Sequence, residues 1–530
     1  MSKVKELEDK ALEKRKALNE AILSGDSQVQ KFYDDAVVFV TGGSGFIGKQ
    51  LIEKLIRSTN LKKIYMLVRP KKGKSVEDRI KHILENPVFE VVREEKPSFE
   101  DKIVGIEGDI CEINLGIDEK SWDRLADEVT VIMHAAATIS FVEPMKVATL
   151  TNIRGTREVL KLGKACRNIK SIVHVSTAYA NATKNRIKEE VIEDFCDSPI
   201  NPDTLIQLAE SVQEANLDEM IAPLMKQWPN SYTFTKTVTE ELVRSHTGLL
   251  PICIVRPAVV ISAFDEPSPG WIDQQSIMGT SGFLVGISLG VTHTMLASKD
   301  TKMDFVPVDI VNNAIIVSAW ETNENFNRGD KKITIYTVTG TRDPIKWGNV
   351  YDLVYSGRTD LMPSQALWYA FVIDTEYIPI YVFLSWLLHY IPALIFDGCR
   401  MLVGKKPRLF KIYKLADTLS SVFRYFTINY WIFRDSNTVS LYNKLSKTDK
   451  LLYNCNMSSV DMKKMIFIWC YGITKYIIKV DFSKTEYALK KQFWLRIVHY
   501  IVFPLYVYSL LKIGHISFVL IYKLIAMFLL

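Results

Sequence analysis

The run Ala36-Val37-Val38-Phe39-Val40 has the length of a buried strand and breaks on the closely spaced glycines of Thr41-Gly42-Gly43-Ser44-Gly45-Phe46-Ile47-Gly48. Directly after it Leu51, Ile52, Leu55 and Ile56 recur with helical period, and Ile64-Tyr65-Met66-Leu67-Val68 reads as the next buried strand. Further apolar strands follow at Ile103-Val104-Gly105-Ile106, Val131-Ile132-Met133, Ile172-Val173-His174-Val175 and Ile252-Cys253-Ile254-Val255, each separated from the next by a stretch of helix length. Parallel strands need long crossovers, so the alternation predicts an α/β fold, a doubly wound parallel sheet with helices on both faces. A long polar, helical insertion at 185–228 and the segment Glu266-Pro267-Ser268-Pro269-Gly270-Trp271 lie where strand ends build ligand sites, and both are candidate substrate covers.

Beyond about Tyr355 the alternation stops, and tryptophan, tyrosine and leucine stand among basic residues, which predicts a mostly helical C-terminal region. It holds two apolar stretches. The first, 377–403, is interrupted by Pro379, His389, Pro392, Asp397 and Arg400 and reads as a buried or interfacial helical pair. The second, 497–530, exceeds the roughly twenty residues that cross a bilayer. Pro504, Lys512, Gly514, His515 and Lys523 leave both a kinked span and a hairpin open. Lys484, Lys490, Lys491 and Arg496 precede this hydrophobic membrane segment and favour a cytosolic body before it. The expected organisation is a charged helical leader over 1–30, a nucleotide-binding domain over 31–355, a helical region over 356–495 and a membrane anchor over 496–530. The leader has no apolar core of a secretory signal, and its mixed charges predict a solvated helix up to about Asn19.

The strand–glycine–helix pattern has a chemical meaning. A tight turn needs backbone angles that a Cβ forbids, the main chain must approach a pyrophosphate closely, and the helix amino-terminus then offers free N–H groups to the phosphates. The spacing Gly42-x-x-Gly45-x-x-Gly48 therefore predicts a Rossmann-type dinucleotide site. Arg69 closes the second strand, where an NAD enzyme usually carries an acid, and a guanidinium there favours a 2′-phosphate and hence NADPH. Lys71, Lys72 and Lys74 add positive charge nearby, or form a solvated basic loop.

Composition narrows the class. Hydrophobic residues make up 48% of the 530, high beside 24% charged residues, and the excess is concentrated at the carboxyl end. A net charge of +6 spread along this length, with no recognition motif, argues against a nucleic-acid partner. The seven cysteines, far apart and without metal-ligand spacing, read as reduced thiols, and no metal site is expected.

Asn230-Ser231-Tyr232-Thr233-Phe234-Thr235-Lys236 sets a phenol and an ammonium one helical turn apart on one face. In that arrangement the lysine lowers the phenol pKa and holds a nicotinamide ribose, while the tyrosine gives a proton to an oxygen that receives hydride. The same spacing recurs at Tyr471/Lys475 and Tyr487/Lys491, which read as helix surface. Position separates the first pair, because it falls between the strand ending Val175-Ser176-Thr177 and the strand ending Val255-Arg256-Pro257.

Together with Gly108-Asp109-Ile110, His134-Ala135-Ala136-Ala137 and His174-Val175-Ser176-Thr177-Ala178-Tyr179-Ala180-Asn181, these motifs resemble the extended short-chain dehydrogenase/reductases. Gly270-Trp271-Ile272-Asp273 and Gly404-Lys405-Lys406-Pro407-Arg408 point within them to the eukaryotic fatty acyl-CoA reductases, over about Val37 to Asp435. The resemblance implies that Gly42, Gly43, Ser44, Gly45, Phe46, Ile47 and Gly48 cradle the pyrophosphate and that Arg69 meets the 2′-phosphate. Asp109 and Ile110 would flank the adenine, and Ala135 and Ala136 the nicotinamide side. Tyr232 and Lys236 would be catalytic and also touch the cofactor. The superfamily's serine falls on Ser176 or Thr177, with Thr177 favoured because the small Ala178 follows it. His134, where many relatives have asparagine, is expected to be a packed histidine, and Arg256 is either a cofactor neighbour or structural. The implied activity is NADPH-dependent reduction of a long-chain fatty acyl-CoA to the primary alcohol, by two hydride transfers through an aldehyde. It would occur on membrane lipid, at the endoplasmic reticulum or, second, the peroxisome. The alternatives are a membrane-bound hydroxysteroid or sterol dehydrogenase and a non-catalytic NADP-binding scaffold.

Overall fold

The computed structural model describes residues 3–70, 73–356 and 361–529. Lys71 and Lys72, two of the three lysines near Arg69, lie outside them. The main sheet has seven parallel strands: β1 (Val37–Thr41), β2 (Lys63–Val68), β3 (Ile103–Glu107), β4 (Val131–His134), β5 (Ser171–Val175), β6 (Ile252–Pro257) and β7 (Ile335–Val338). Their order is β7-β6-β5-β4-β1-β2-β3. The chain leaves β1 toward β2 and β3, then crosses back to place β4 on the other side of β1, in register Thr41 opposite His134 and His134 opposite His174. A crevice opens at such a reversal, at the carboxyl ends of the strands.

Alternate residues of each strand feed two cores. Val38, Val40, Met66, Val173 and Val255 join one with α2 (Phe46–Ser58) and α4 (Val308–Asn327). Val37, Phe39, Ile132, Ile172 and Ile254 join the other, where Phe234, Val238 and Leu242 of α3 (Ser231–Arg244) are buried.

The amino-terminal helix α1 (Lys3–Ser24) is not a solvated leader. Leu7 and Leu18 are buried, Lys14 pairs with Asp265 at 2.5 Å, and Arg15 with Glu95 at 2.5 Å. Its apolar residues are too sparse to show a face, yet Val4, Leu7, Leu18 and Ile22 land on the body, while Leu12 and Leu23 stay exposed. The C-terminal region is likewise no detached unit. Helix α7 (Met462–Gly472) buries Met465, Ile466 and Trp469 in the same core as β1 and β5. Gly270 and Gly472 meet backbone to backbone: a Cβ on Gly270 would lie 2.7 Å from the carbonyl oxygen of Ile468.

The Glu266–Trp271 segment, expected as a substrate cover, is instead clamped with the following Asp273 between α7 and α2. Trp271 is buried with its ring 5.3 Å from that of Phe46, and Lys49 pairs with Asp273 at 2.5 Å. Glu266 accepts ion pairs from Lys54 at 2.6 Å and Arg57 at 2.7 Å. These contacts seat it on α2, the nucleotide helix.

Among the described residues two helices are long and apolar enough to cross a membrane, α5 (Ile378–Leu402) and α8 (Thr485–Leu529), the latter with none of its most apolar window buried. Between them runs α6 (Leu409–Ile428). Tyr506 of α8 donates to the carbonyl of Leu387 at 2.7 Å, so the two apolar helices cross side by side.

Candidate active site

At the sheet reversal the chain turns sharply after β1. Gly42 has φ +77°, and a Cβ there would lie 2.7 Å from the amide nitrogen of Ala136. A Cβ on Gly48 would lie 2.6 Å from the Cα of Gly43 and overlap the Gly42 carbonyl oxygen. Both positions require glycine on steric grounds alone. Gly45 donates to the Gly42 carbonyl at 2.9 Å and begins α2 with no side-chain cap, which leaves the first amides of the helix to an anion. Gly43, Ser44, Phe46 and Ile47 complete this turn. Ala135 and Ala136, past β4, lie beside Gly42, and the Ala136 amide donates to Thr41 Oγ1 at 3.3 Å.

Arg69, 61% exposed past β2, forms an ion pair with Asp109 past β3, Nε to Oδ2 at 2.8 Å. The guanidinium and the carboxylate are thus brought together at the carboxyl ends of β2 and β3. Ile110, next to Asp109, is buried against Gly155.

At the other end α3 starts on Asn230, whose side chain accepts from the Thr233 amide at 2.9 Å. Lys236 is buried, and its Nζ donates to the Val175 carbonyl at 2.8 Å. Tyr232, one turn earlier, is half-buried, with its hydroxyl against that of Thr177. Ser176 points elsewhere: its Oγ donates to Glu240 Oε1 at 2.6 Å. Glu240 also receives Arg256, Nη2 at 2.6 Å and Nε at 2.9 Å, and Arg256 reaches the carbonyls of Ile192 and Asp194. Arg256 is thus structural. Buried His134 is packed between Thr41 Oγ1 at 2.7 Å and Thr156 Oγ1 at 2.9 Å.

Electrostatics depart from the sequence expectation. Burial pushes the Tyr232 phenol up to about 12, opposed by Thr177, so Lys236 does not acidify it here. Burial also lowers Lys236 to about 8, with Glu240 acting the other way. The tyrosine is thereby kept as a protonated donor. Of the two repeated pairs, Tyr487 is exposed, but Tyr471 is buried and donates to Glu8 of α1 at 2.7 Å, so it is not helix surface.

Three residues of the site escaped the sequence reading. Asn152, in the π-helical turn Thr149–Arg154, donates to Thr235 Oγ1 at 2.9 Å and accepts from the Thr138 amide at 2.9 Å, tying the loop past β4 to α3. Glu240 recurs one turn after Lys236, but spacing alone does not tell a buried acid from a solvent-facing one. Phe141 is stacked on Tyr232, ring centroids 5.8 Å apart, with no sequence signal.

Residues 40–315 match the NAD-binding profile described as male sterility protein, and residues 388–480 match a second profile of the same description. The chain is 34% identical over 496 residues to the fatty acyl-CoA reductase wat of Drosophila melanogaster, covering 92% of this chain and 94% of the relative. The chain belongs to the fatty acyl-CoA reductase family. Fatty acyl-CoA reductase 1 of Homo sapiens is 30% identical over 89% of this chain and 90% of its own. Among solved structures, the reductase domain of a nonribosomal peptide synthetase from Mycobacterium tuberculosis superposes with a TM-score of 0.56 at 19% identity, covering 83% of this chain and 92% of that one, and shares the fold. As a member of this family the protein is an oxidoreductase that uses a nicotinamide cofactor.

Proposed function

We propose that this protein reduces a long-chain fatty acyl-CoA to the primary alcohol with NADPH, at a membrane surface. The observation that carries the reading is the convergence of Thr177, Tyr232 and Lys236 at the carboxyl end of β5, beside a tight glycine turn that leads into the uncapped amino-terminus of α2. When bound, NADPH supplies hydride to the thioester carbon and then, from a second molecule, to the aldehyde carbon. Tyr232 Oη donates its proton to the oxygen that gains charge each time, and Thr177 shares the hydrogen bond. The hemithioacetal formed first releases CoA as the thiol and leaves the aldehyde, which the second hydride and proton convert to alcohol. Lys236, held by the Val175 carbonyl, orients the nicotinamide ribose. Membranes carrying the full chain, given NADPH and saturated acyl-CoAs, should yield primary alcohols. Turnover of hydroxysteroids in place of acyl-CoAs would overturn the reading.

Arg69 supports the choice of NADPH, since a guanidinium can meet a 2′-phosphate through two parallel hydrogen bonds. Its ion pair with Asp109 holds the guanidinium beside the carboxyl ends of β2 and β3, which supports this role. Arg69→Ala should raise KM for NADPH at least about tenfold, the loss of roughly 1.4 kcal/mol of binding, and leave KM for NADH nearly unchanged. Equal losses with both cofactors would remove Arg69 from this role.

A pH dependence follows from the two shifted groups. Reduction uses both in their protonated forms. Lys236 titrates near 8 in the free protein, so kcat/KM for NADPH should be flat below that value and decline as pH rises through it. Tyr232, near 12, adds no second limb in the working range. Glu240→Gln should move the limb to lower pH, because the carboxylate is what holds Lys236 up. A profile that rises through pH 8 would contradict the assignment.

The exposed apolar faces of α5 and α8 support membrane attachment, with Lys484 and the basic residues Lys490, Lys491 and Arg496 at the start of α8 on the cytosolic side. Removal of residues 509–530 spares the bond from Tyr506 to Leu387. It should lower the carbonate-resistant membrane fraction while NADPH binding persists. Full retention in the pellet would shift the anchor to α5.

A further inference from the structure

Helix α6 carries an apolar stripe, Ile412, Leu415, Leu419, Phe423 and Phe426, spaced three or four residues apart and therefore along one face. Its two ends lie in different surroundings. At the amino end Ile412 is 47% and Leu415 50% exposed, and the neighbouring apolar helix α5 also exposes Leu394, Ile395 and Phe396. At the carboxyl end the rings of Phe423 and Phe426 lie 5.2 Å and 5.3 Å from that of Phe141. Phe141 is in turn stacked on Tyr232, the rings inclined by 22°. An unbroken apolar path thus leads from the lipid-facing side of the molecule to the phenol.

The helix is fixed from an adjoining face. Asp417 accepts from Tyr381 at 2.7 Å and from Tyr390 at 2.5 Å, Ser420 accepts from the Leu296 amide at 2.9 Å, and Thr427 donates to the Leu296 carbonyl at 2.7 Å. The stripe itself is not needed for these bonds.

We propose that the acyl tail of the substrate lies along the Ile412–Phe426 stripe, with its far end toward the lipid, so that α6 measures chain length. The inference rests on the acyl-CoA reading above and adds where the tail goes. From residue 412 to residue 426 a helix rises about 21 Å, at ~1.5 Å per residue. A fully extended chain advances about 1.25 Å per carbon, from C–C bonds of ~1.5 Å, so sixteen carbons span about 20 Å. The Phe141 ring separates Tyr232 from Phe426, its centroid 5.8 Å from the one and 5.3 Å from the other, so a chain of that length with its thioester at Tyr232 spends its first carbons crossing to Phe426 and ends part-way along the stripe, short of its exposed end. Each methylene laid on it gains about fourfold in affinity, which makes longer chains better substrates up to that limit.

The test uses the full chain in membranes with NADPH and saturated acyl-CoAs of eight to twenty carbons, and NADPH binding measured for every variant. Leu419→Trp blocks the path about 10 Å from Phe426, to which the crossing from Tyr232 past Phe141 is added. It should lower the rate with twenty carbons relative to eight carbons at least tenfold. Thr418→Trp, on the exposed side of the same helix, should leave the profile as it was. If Leu419→Trp loses NADPH binding, Leu415→Trp decides, since its half-exposed position tolerates bulk; it should penalise only the longest chains, those that pass the block four residues further along the helix. An unmoved profile, or an equal loss at every length with NADPH still bound, overturns the inference alone. No alcohol from any acyl-CoA with the unaltered protein removes the underlying reading and the inference with it.

Discussion

Tyr232→Phe is expected to lower alcohol formation by about 10²–10⁴-fold, the range lost with a positioned general acid, while NADPH binds almost as before. The substitution removes one oxygen and keeps the ring, so the stacking of Phe141 at 5.8 Å survives and the wall of the site stays in place. What disappears is the proton that Tyr232 holds firmly, with the phenol pushed up to about 12 by burial. Thr177 remains, but its hydroxyl also accepts from the Tyr179 amide at 3.2 Å and has no comparable acidity. Tyr487→Phe, at a position 59% exposed, should be silent. Tyr471→Phe should leave the chemistry intact but lower stability by about 1 kcal/mol through the lost bond to Glu8. Steady-state rates with one acyl-CoA, alongside fluorescence titration of NADPH, separate these outcomes. A live Tyr232→Phe with a dead Tyr487→Phe would place the chemistry on another helix.

Gly48→Ala is expected to weaken NADPH binding about 10- to 100-fold. Its Cβ would lie 2.6 Å from the Cα of Gly43 and overlap the Gly42 carbonyl, so the turn itself must move. Overpacking of this kind costs about 1–3 kcal/mol, and ~1.4 kcal/mol is a factor of ten in affinity. Gly45→Ala gives the contrast. Its nearest neighbour, the Gly42 carbonyl oxygen, would be 3.2 Å from the new Cβ, and its φ of −84° suits any residue. That variant should lose less. Equal affinities for Gly48→Ala and the unaltered protein would contradict the placement of the pyrophosphate in this turn.

Six of the seven strands were legible, because each is a run of apolar residues bounded by turn signals, and the sheet follows from their alternation with helices. The seventh, β7, was not. Ile-Tyr-Thr-Val at 335–338 is short and follows the charged Asp330-Lys331-Lys332, and only pairing with β6 makes it a strand. The glycine turn and the Tyr232/Lys236 spacing were legible because their chemistry is local in sequence. Glu240 was not, since an acid on a helix reads as solvent-facing until Ser176 and Arg256, from two other strand ends, close on it. The same reason hid the buried leader and the clamp at Trp271, whose partners lie hundreds of residues away. The choice between Ser176 and Thr177 could not be made from spacing either. In the fold Ser176 is taken by Glu240 and Thr177 faces Tyr232, which favours Thr177 as the partner hydroxyl.

The most direct test of the account follows the hydride. Full-length protein in membranes, given hexadecanoyl-CoA and NADPH deuterated at the transferred position, should produce a primary alcohol two mass units heavier, with both deuterons on the first carbon. One CoA thiol should appear for every two NADPH consumed. An alcohol carrying a single deuteron, or acyl-CoA left unconsumed under conditions where NADPH binds, would contradict two successive reductions at the Tyr232 site.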